Sequence, residues 1–131
     1  MRKRVVNADV LISNFSSGVP GAETDIGQLV GSLRAEVNNG GFDQFFFNSA
    51  SDRTAEIISA LELIGASKTA DIVRRAAGKF PGGMPPSEWA ERQDLLVYEV
   101  SPEADAFKEF DQEFYASSEN LTELVQKYAF D

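Results

Sequence analysis

The chain has 131 residues, with 21 acidic and 12 basic side chains, a formal net charge of −9, and neither cysteine nor histidine. The length fits one domain that buries about two thirds of its unfolded surface without disulfides or a structural metal. The absence of histidine removes the commonest general base and the commonest metal ligand. The absence of cysteine excludes thiol chemistry and fits a reducing compartment.

The N-terminal segment, residues 1–23, has no clear structural pattern. Residues 1–4 are basic, but polar residues interrupt the apolar run that follows, so neither a signal-peptide core nor a membrane span is predicted. Val10 to Phe15 suits a short helix or a strand, and Val19 to Glu23 reads as a linker. We therefore expect a cytoplasmic protein without a membrane partner.

The first strong helical pattern begins near Thr24 or Asp25, either of which would serve as its N-cap. One face of this helix is apolar and carries Ile26, Leu29, Val30, Leu33 and Val37. Gly27 and Gly31 lie one turn apart inside the pattern, where each glycine costs up to about 1 kcal/mol relative to alanine. Such a pair predicts the close approach of another helix.

The stretch from Glu36 to Asn48 departs from any generic helix. Asn39, Gly40 and Gly41 predict a C-terminal cap followed by a sharp reversal, because asparagine and glycine accept a left-handed backbone. Phe42, Phe45 and Phe46 then recur at helical spacing, with Phe47 on an adjacent flank, and this apolar surface is expected to enter the core.

Amide and carboxylate side chains surround these phenylalanines, namely Glu36, Asn38, Asn39, Gln44 and Asn48. If they are buried, they must bond to one another or to free backbone groups at the helix ends. One interpretation is a polar clamp that fixes two helices. The other is a pocket for a small molecule or a peptide, lined by asparagine and glutamine.

Further helices are predicted after this stretch. Ser51 or Asp52 is expected to cap a helix that ends at a C-cap at Gly65 and has a core face of Ile57, Ile58, Leu61 and Ile64. Ser67 is expected to open the next helix, whose inward residues are Ala70, Val73, Ala76, Ala77 and Phe80. The breaker cluster from Phe80 to Pro86 predicts a loop.

Three helices are predicted in the last third. Ser87 is expected to cap the first, with Trp89, Leu95, Leu96 and Tyr98 facing inward. Ser101 and Pro102 are expected to start the second, with Phe107, Phe110 and Phe114 facing inward. Ser117 or Ser118 is expected to cap the third, with Leu121, Leu124, Val125 and Tyr128 facing inward. Residues 1–131 are thus predicted to form a single, compact, all-α domain of about six or seven helices.

The run from Glu36 to Asn48 resembles the signature of an all-helical bacterial domain family of largely unknown function, whose best-known member is a DNA-mimic protein. Its Asn-Gly-Gly-Phe-x-Gln core comprises Asn39, Gly40, Gly41, Phe42 and Gln44. Three further stretches resemble the same family, at residues 60–66, 110–115 and 121–128. The resemblance implies an interaction domain, and most of these motif residues are expected to be structural.

The excess negative charge lies in residues 81–131, which hold twelve acids and three bases. Asp105, Glu109 and Glu113 recur at i, i+4 and i+8, and Glu119 and Glu123 repeat the spacing. This candidate acidic surface is either a solvated face or a mimic of DNA phosphates that binds a basic DNA-binding protein. Direct nucleic-acid binding is disfavoured, because it needs a basic patch.

No spacing of residues assembles a catalytic or metal-binding constellation, and no cofactor motif is present. We therefore expect a non-enzymatic interaction domain, as a monomer or a homodimer, that requires no cofactor. The main alternative is a small-molecule or peptide-binding module that uses the region from Asn39 to Asn48. A hydrolase-like enzyme with a carboxylate pair is a third hypothesis.

Overall fold

Six α-helices account for most of residues 22–130, the range that the computed structural model describes, with side chains described from residue 25 onward. They are α1 Ala22–Phe47, α2 Thr54–Leu63, α3 Ser67–Ala77, α4 Trp89–Leu95, α5 Lys108–Ala116 and α6 Leu121–Phe130. Short 3-10 turns cover Ser49–Arg53 and Pro81–Gly83, and α4 continues into a π-helical turn at Leu96–Val100. No strand occurs in this range, and the predicted all-α class is confirmed.

The long helix α1 is the element on which the others assemble. Its predicted face is buried, with Leu33 and Val37 fully inaccessible to solvent. Helices α2, α4, α5 and α6 all pack against α1, while α3 packs against α2 and α5. Burial of the apolar stripe of α1 therefore provides the common core for most of the chain.

An aromatic cluster fills the centre of the fold. Phe42, Phe45 and Phe46 are fully buried, as predicted, and the ring of Phe46 lies 5.0 Å from that of Phe80 and 5.1 Å from that of Phe107. Mixed tilted and edge-on contacts of this kind add stability beyond burial of area alone. Phe47, on the flank, is 44% exposed.

The end of α2 follows the sequence prediction. Gly65 has a φ of 83°, the amide of Ala66 donates to the carbonyl of Leu61, and the amide of Gly65 donates to the carbonyl of Glu62. This pair of hydrogen bonds is the Schellman motif, which needs a left-handed residue after the helix. Ser67 then begins α3 as expected.

Several predicted helix starts are wrong. Thr24 and Asp25 lie inside α1, and Ser51 and Asp52 lie in a 3-10 turn before α2. Glu88, not Ser87, caps α4 by accepting from the amides of Ala90 and Glu91. Asn120, not Ser117 or Ser118, accepts from the amide of Glu123 at the start of α6. Serine, asparagine and acidic caps have similar intrinsic preferences, so local sequence does not rank neighbouring candidates.

The predicted helix from Pro102 is also wrong, because α5 begins at Lys108. The amide of Ala104 donates to the carbonyl of Ser101, which makes Pro102 the second residue of a β-turn. Proline suits that position as well as it suits the first position of a helix. Ala104 then adopts a φ of 57°, which prevents the turn from continuing into a helix.

Three further expectations are corrected by the positions of the side chains. Trp89 and Tyr98, which were expected inside, are 50% and 76% exposed. A Cβ on Gly31 would meet no atom within 4 Å, so no helix approaches closely at that glycine. The predicted elements before Ala22 lie outside the described residues, and in the described range no helix is long and apolar enough to cross a membrane.

Candidate functional site

The helix break at Gly40 and Gly41 divides α1 into a long segment and a short aromatic one. Gly40 has φ −154° and ψ 19°, and Gly41 has φ 75° and ψ −173°. The side chains of Glu36 and Asn48 nevertheless bond to each other, although twelve residues of straight helix would separate them by about 18 Å. The chain therefore turns back sharply at the two glycines, as predicted.

Amide side chains converge on the carboxylate of Glu36 across this bend. Gln44 Nε2 and Asn48 Nδ2 donate to Glu36 Oε1 at 2.8 and 2.9 Å. Asn39 Nδ2 donates to Gln44 Oε1 at 3.2 Å. Asn38 is exposed and has no side-chain hydrogen bond within the described part of the chain. The structure thus joins four of the five polar motif residues in one network across the bend.

Both glycines occupy positions where a side chain would collide. A Cβ on Gly40 would collide with the side chain of Gln44, and a Cβ on Gly41 would lie 2.5 Å from Asp111 Oδ2. The φ and ψ of Gly41 also fall in a region that is essentially restricted to glycine. Gly41 is therefore required by its backbone conformation, and a side chain at Gly40 would displace Gln44 from the network across the bend.

Helix α5 supplies hydrogen bonds to the backbone groups that the break leaves free. Asp111 Oδ1 accepts from the amide of Phe42 at 2.8 Å, and the hydroxyl of Tyr115 donates to the carbonyl of Val37 at 2.7 Å. Asp111 and Tyr115 lie one turn apart on α5, so one helix face serves both sides of the break. Burial raises the pKa of Asp111, against the opposing effects of the Phe42 amide and Lys108.

Arg92 of α4 satisfies the other end of the aromatic segment. It is 0% exposed, and its guanidinium donates to the carbonyls of Phe46 and Asn48 and to the carboxylate of Asp52. Two further bonds reach the carbonyls of Pro86 and Ser87, so every N–H direction of the guanidinium is used. Sequence reasoning missed this residue, although its position four residues before the buried Leu96 could have indicated an inward face.

The adjacent carbonyl of Phe47 accepts two side chains from α4. Trp89 Nε1 donates to it at 3.0 Å and Gln93 Nε2 at 2.9 Å. This hydrogen bond ties the half-exposed indole of Trp89 to the end of α1. Side chains of α4 thus complete the end of α1, where helical carbonyls have no partner within the helix.

Two of the five predicted surface acids make internal contacts. Glu113 forms an ion pair with Arg75, whose hydrogen bonds hold the pKa of Glu113 below its ordinary value. Glu119 accepts from the amides of Lys68 and Thr69 and from the Thr69 hydroxyl, at the N-terminus of α3. Burial would raise the pKa of Glu119, but these hydrogen bonds outweigh it and lower that pKa.

The other three predicted acids, Asp105, Glu109 and Glu123, are exposed and have no ion pair in the described range. Asp105 precedes α5, so it does not continue the helical row with Glu109 and Glu113. Four more acids nearby in sequence are likewise exposed and have no basic partner in that range. They are Glu91, Asp94, Glu99 and Glu103.

A concave pocket of about 530 Å³ lies beside the aromatic segment. One side is formed by Asp43, Gln44, Phe47 and Asn48, and the other by Leu96, Val97, Ser101, Pro102 and Ala104. Asp43 is the only charged residue in the lining. Burial raises the pKa of Asp43, the hydrogen bond from Ser101 opposes this, and the nearby negative charges of Asp111 and Asp105 raise it further.

Comparison with known proteins identifies one family. The family model described as "DMP19-like protein" matches residues 23–131. No curated protein and no solved structure gives a significant match to the chain. The match covers the helix break, the α5 face that supports it and the acidic segment that follows α3.

Proposed function

Because the chain belongs to the DMP19-like protein family, we propose that it is a non-enzymatic interaction domain that binds a basic DNA-binding protein by presenting carboxylates in place of DNA phosphates. The resemblance of the Glu36–Asn48 signature to a family whose best-known member is a DNA mimic supports this proposal. The surface that makes the contact is defined as the acidic face: Glu91, Asp94, Glu99, Glu103, Asp105, Glu109 and Glu123.

The uneven pairing of charges is the observation that carries the proposal. Five acids outside the acidic face are paired with arginines: Arg53 pairs with Asp25 and Glu56, Arg74 with Glu62 and Asp71, and Arg75 with Asp71 and Glu113. None of the seven carboxylates of the acidic face has such a partner in the described range. Unpaired like charges repel one another, and a basic partner would relieve that repulsion.

The three basic residues within residues 81–131 do not pair with the carboxylates of the acidic face. Arg92 is buried and committed to Asp52, so it neutralises none of the exposed carboxylates. Lys108 lies near Asp111 and Lys127 lies in the last turn of α6, and neither lysine forms an ion pair in the described range. With seven carboxylates against these two lysines, the acidic face keeps a net negative field that would steer a positively charged protein toward it.

The test compares two triple variants that each remove three negative charges. The first variant neutralises the acidic face with Glu99→Gln, Glu103→Gln and Glu109→Gln. The matched control neutralises paired acids with Glu56→Gln, Glu62→Gln and Asp71→Asn, whose exposed ion pairs contribute only about 0–1 kcal/mol each. Each immobilised protein is exposed to lysate at about 50 mM and about 200 mM salt, where phosphate-type contacts differ greatly in strength.

Proteins retained at low salt are then purified and assayed for binding to duplex DNA. We expect at least one DNA-binding protein that the wild type and the control retain, that the first variant loses, and that duplex DNA displaces competitively. The proposal is rejected if the two triple variants retain the same proteins, or if none of the retained proteins binds DNA.

A further inference from the structure

The pocket beside the aromatic segment has the features of a binding site for a single charged group. Its volume of about 530 Å³ falls in the usual range for ligand sites, and its apolar walls include Leu96, Val97 and Phe47. The ring of Phe47 is 44% exposed and Val97 is 41% exposed, so both surfaces are open to a partner. Asp43 also lines this pocket.

The charges around the pocket select the sign of the occupant. No basic residue is among the nine that line it. Asp105 and Asp111 add negative charge close to Asp43, and burial withdraws that carboxylate from solvent. A partly desolvated carboxylate beside two like charges is stabilised by a cation and destabilised by an anion.

The amide groups at the pocket edge are held in place by the network across the helix break. Gln44 and Asn48 each donate one amide N–H to Glu36, and Gln44 Oε1 accepts from Asn39. Asp43 is the group in the lining that carries a charge, and it is therefore the group that can recognise a cation. The sequence leaves open a pocket lined by asparagine and glutamine as one alternative, and Gln44 and Asn48 are among the residues that line this cavity.

The shape favours a cation on an apolar stem. Long basic side chains lay their methylene groups along apolar surface and place the charge at the far end. An arginine would also face the exposed ring of Phe47, a contact that attracts cations. The segment from Leu96 to Ala104, which contributes the residues of one wall, also carries Glu99 and Glu103 of the acidic face.

We infer that this pocket receives one arginine or lysine side chain of the protein partner. The inference rests on the proposed function, since it names the point at which a basic partner inserts into the surface next to the acidic face. Continuity between the pocket wall and the acidic face places the inserted side chain at the edge of the same interface. Insertion of one cation into the pocket would fix the position and orientation of the partner, which attraction between surface charges alone would leave variable.

The test uses a short peptide, so that it does not depend on identifying the partner. The ¹⁵N-labelled protein is titrated with acetyl-Gly-Gly-Arg-Gly-Gly-amide and with the same peptide carrying citrulline, a neutral analogue of arginine. We expect the arginine peptide to shift the amide signals of Asp43, Val97 and Ser101, and the citrulline peptide to shift them little. Agmatine, a small guanidinium compound, serves as a third ligand.

Two variants locate the contact, and one variant serves as the control. Asp43→Asn keeps the shape of the side chain and should weaken peptide binding about tenfold, the usual worth of a charge-assisted hydrogen bond. Val97→Arg places a cation on an exposed pocket wall and should abolish the shifts of Asp43 and Ser101. Glu62→Gln removes one exposed charge outside both the pocket lining and the acidic face and should leave binding within about twofold, as expected for a screened surface charge.

The outcomes separate this inference from the proposed function. It is overturned if the shifts lie elsewhere, if they survive Asp43→Asn, or if citrulline is equally effective. If agmatine binds as tightly as the peptide, the occupant of the pocket is a small guanidinium compound and the inferred protein side chain is rejected. A failed peptide titration together with salt-dependent capture of a DNA-binding protein would reject the pocket and leave the proposed function standing.

Discussion

Replacing Gly41 with alanine should destabilise the protein more than any other single-methyl addition along α1. Gly41 has φ 75° and ψ −173°, a backbone region that L-residues other than glycine rarely enter. The new Cβ would also lie 2.5 Å from Asp111 Oδ2, whose partner oxygen accepts from the Phe42 amide. The carboxylate would have to move, and the start of the aromatic segment would lose its hydrogen bond.

The two contributions can be estimated separately. The backbone conformation costs about 1–3 kcal/mol for a non-glycine residue. Loss of a hydrogen bond to a charged acceptor adds about 1.5–3 kcal/mol. Gly41→Ala should therefore lower the free energy of unfolding by about 2.5–6 kcal/mol, a large part of the about 5–15 kcal/mol typical of a domain.

Urea unfolding followed by circular dichroism provides the measurement. With a denaturant dependence of about 2 kcal/mol/M, the midpoint should fall by about 1–3 M. In an Asp111→Ala background the steric part is absent, so the same glycine substitution should cost only the backbone part. A loss below about 1 kcal/mol in the wild-type background, or an equal loss in both backgrounds, would refute this account of the break.

Three further predictions concern single contacts and can be checked by the same unfolding assay. Arg92→Ala should lower the free energy of unfolding by about 3–5 kcal/mol, because it leaves Asp52 and several carbonyls unpaired. Arg92→Lys should not restore this loss, because lysine cannot reproduce five directed donors. The exposed control Arg34→Ala should change the free energy of unfolding by no more than about 0.5 kcal/mol. Gly31→Ala should stabilise by up to about 1 kcal/mol, since a Cβ there meets open space within a helix, and a destabilised variant would show that the glycine has another role. Glu119→Gln should lose stability at neutral pH. Because the folded pKa of Glu119 lies below its ordinary 4.5, its contribution is complete above that pH and lost as the pH falls through the folded value, so the wild type and variant should converge in acid.

Local sequence determined much of the helical framework of this protein. The apolar spacing of α1, α2 and α3 identified residues that are buried, including Leu33, Ile57 and Val73. Gly65 correctly predicted the end of α2, and the Gly40–Gly41 pair correctly predicted the reversal in α1. These features depend on the spacing of apolar side chains and on the backbone freedom of glycine, and both are set by residues only a few positions apart in the sequence.

Helix starts were less well determined by local sequence than the buried helix faces. Pro102 is equally suited to a β-turn and to the first turn of a helix, and the turn is formed. Adjacent capping candidates such as Ser118 and Asn120 differ too little in intrinsic preference for sequence to choose between them. The choice was made by which position lets the apolar face of each helix reach the common core.

Only the tertiary structure decided how the candidate site is built. Asp111, Tyr115 and Arg92 satisfy backbone groups 69, 78 and 46 residues away along the chain, and no local pattern carries that information. The same applies to Glu113 and Glu119, which resemble free surface acids in sequence and are engaged by Arg75 and Thr69 in the fold. Composition fixes how many carboxylates the chain has, whereas packing decides which of them remain unpaired for a partner, because a charge is neutralised by what lies near it in space.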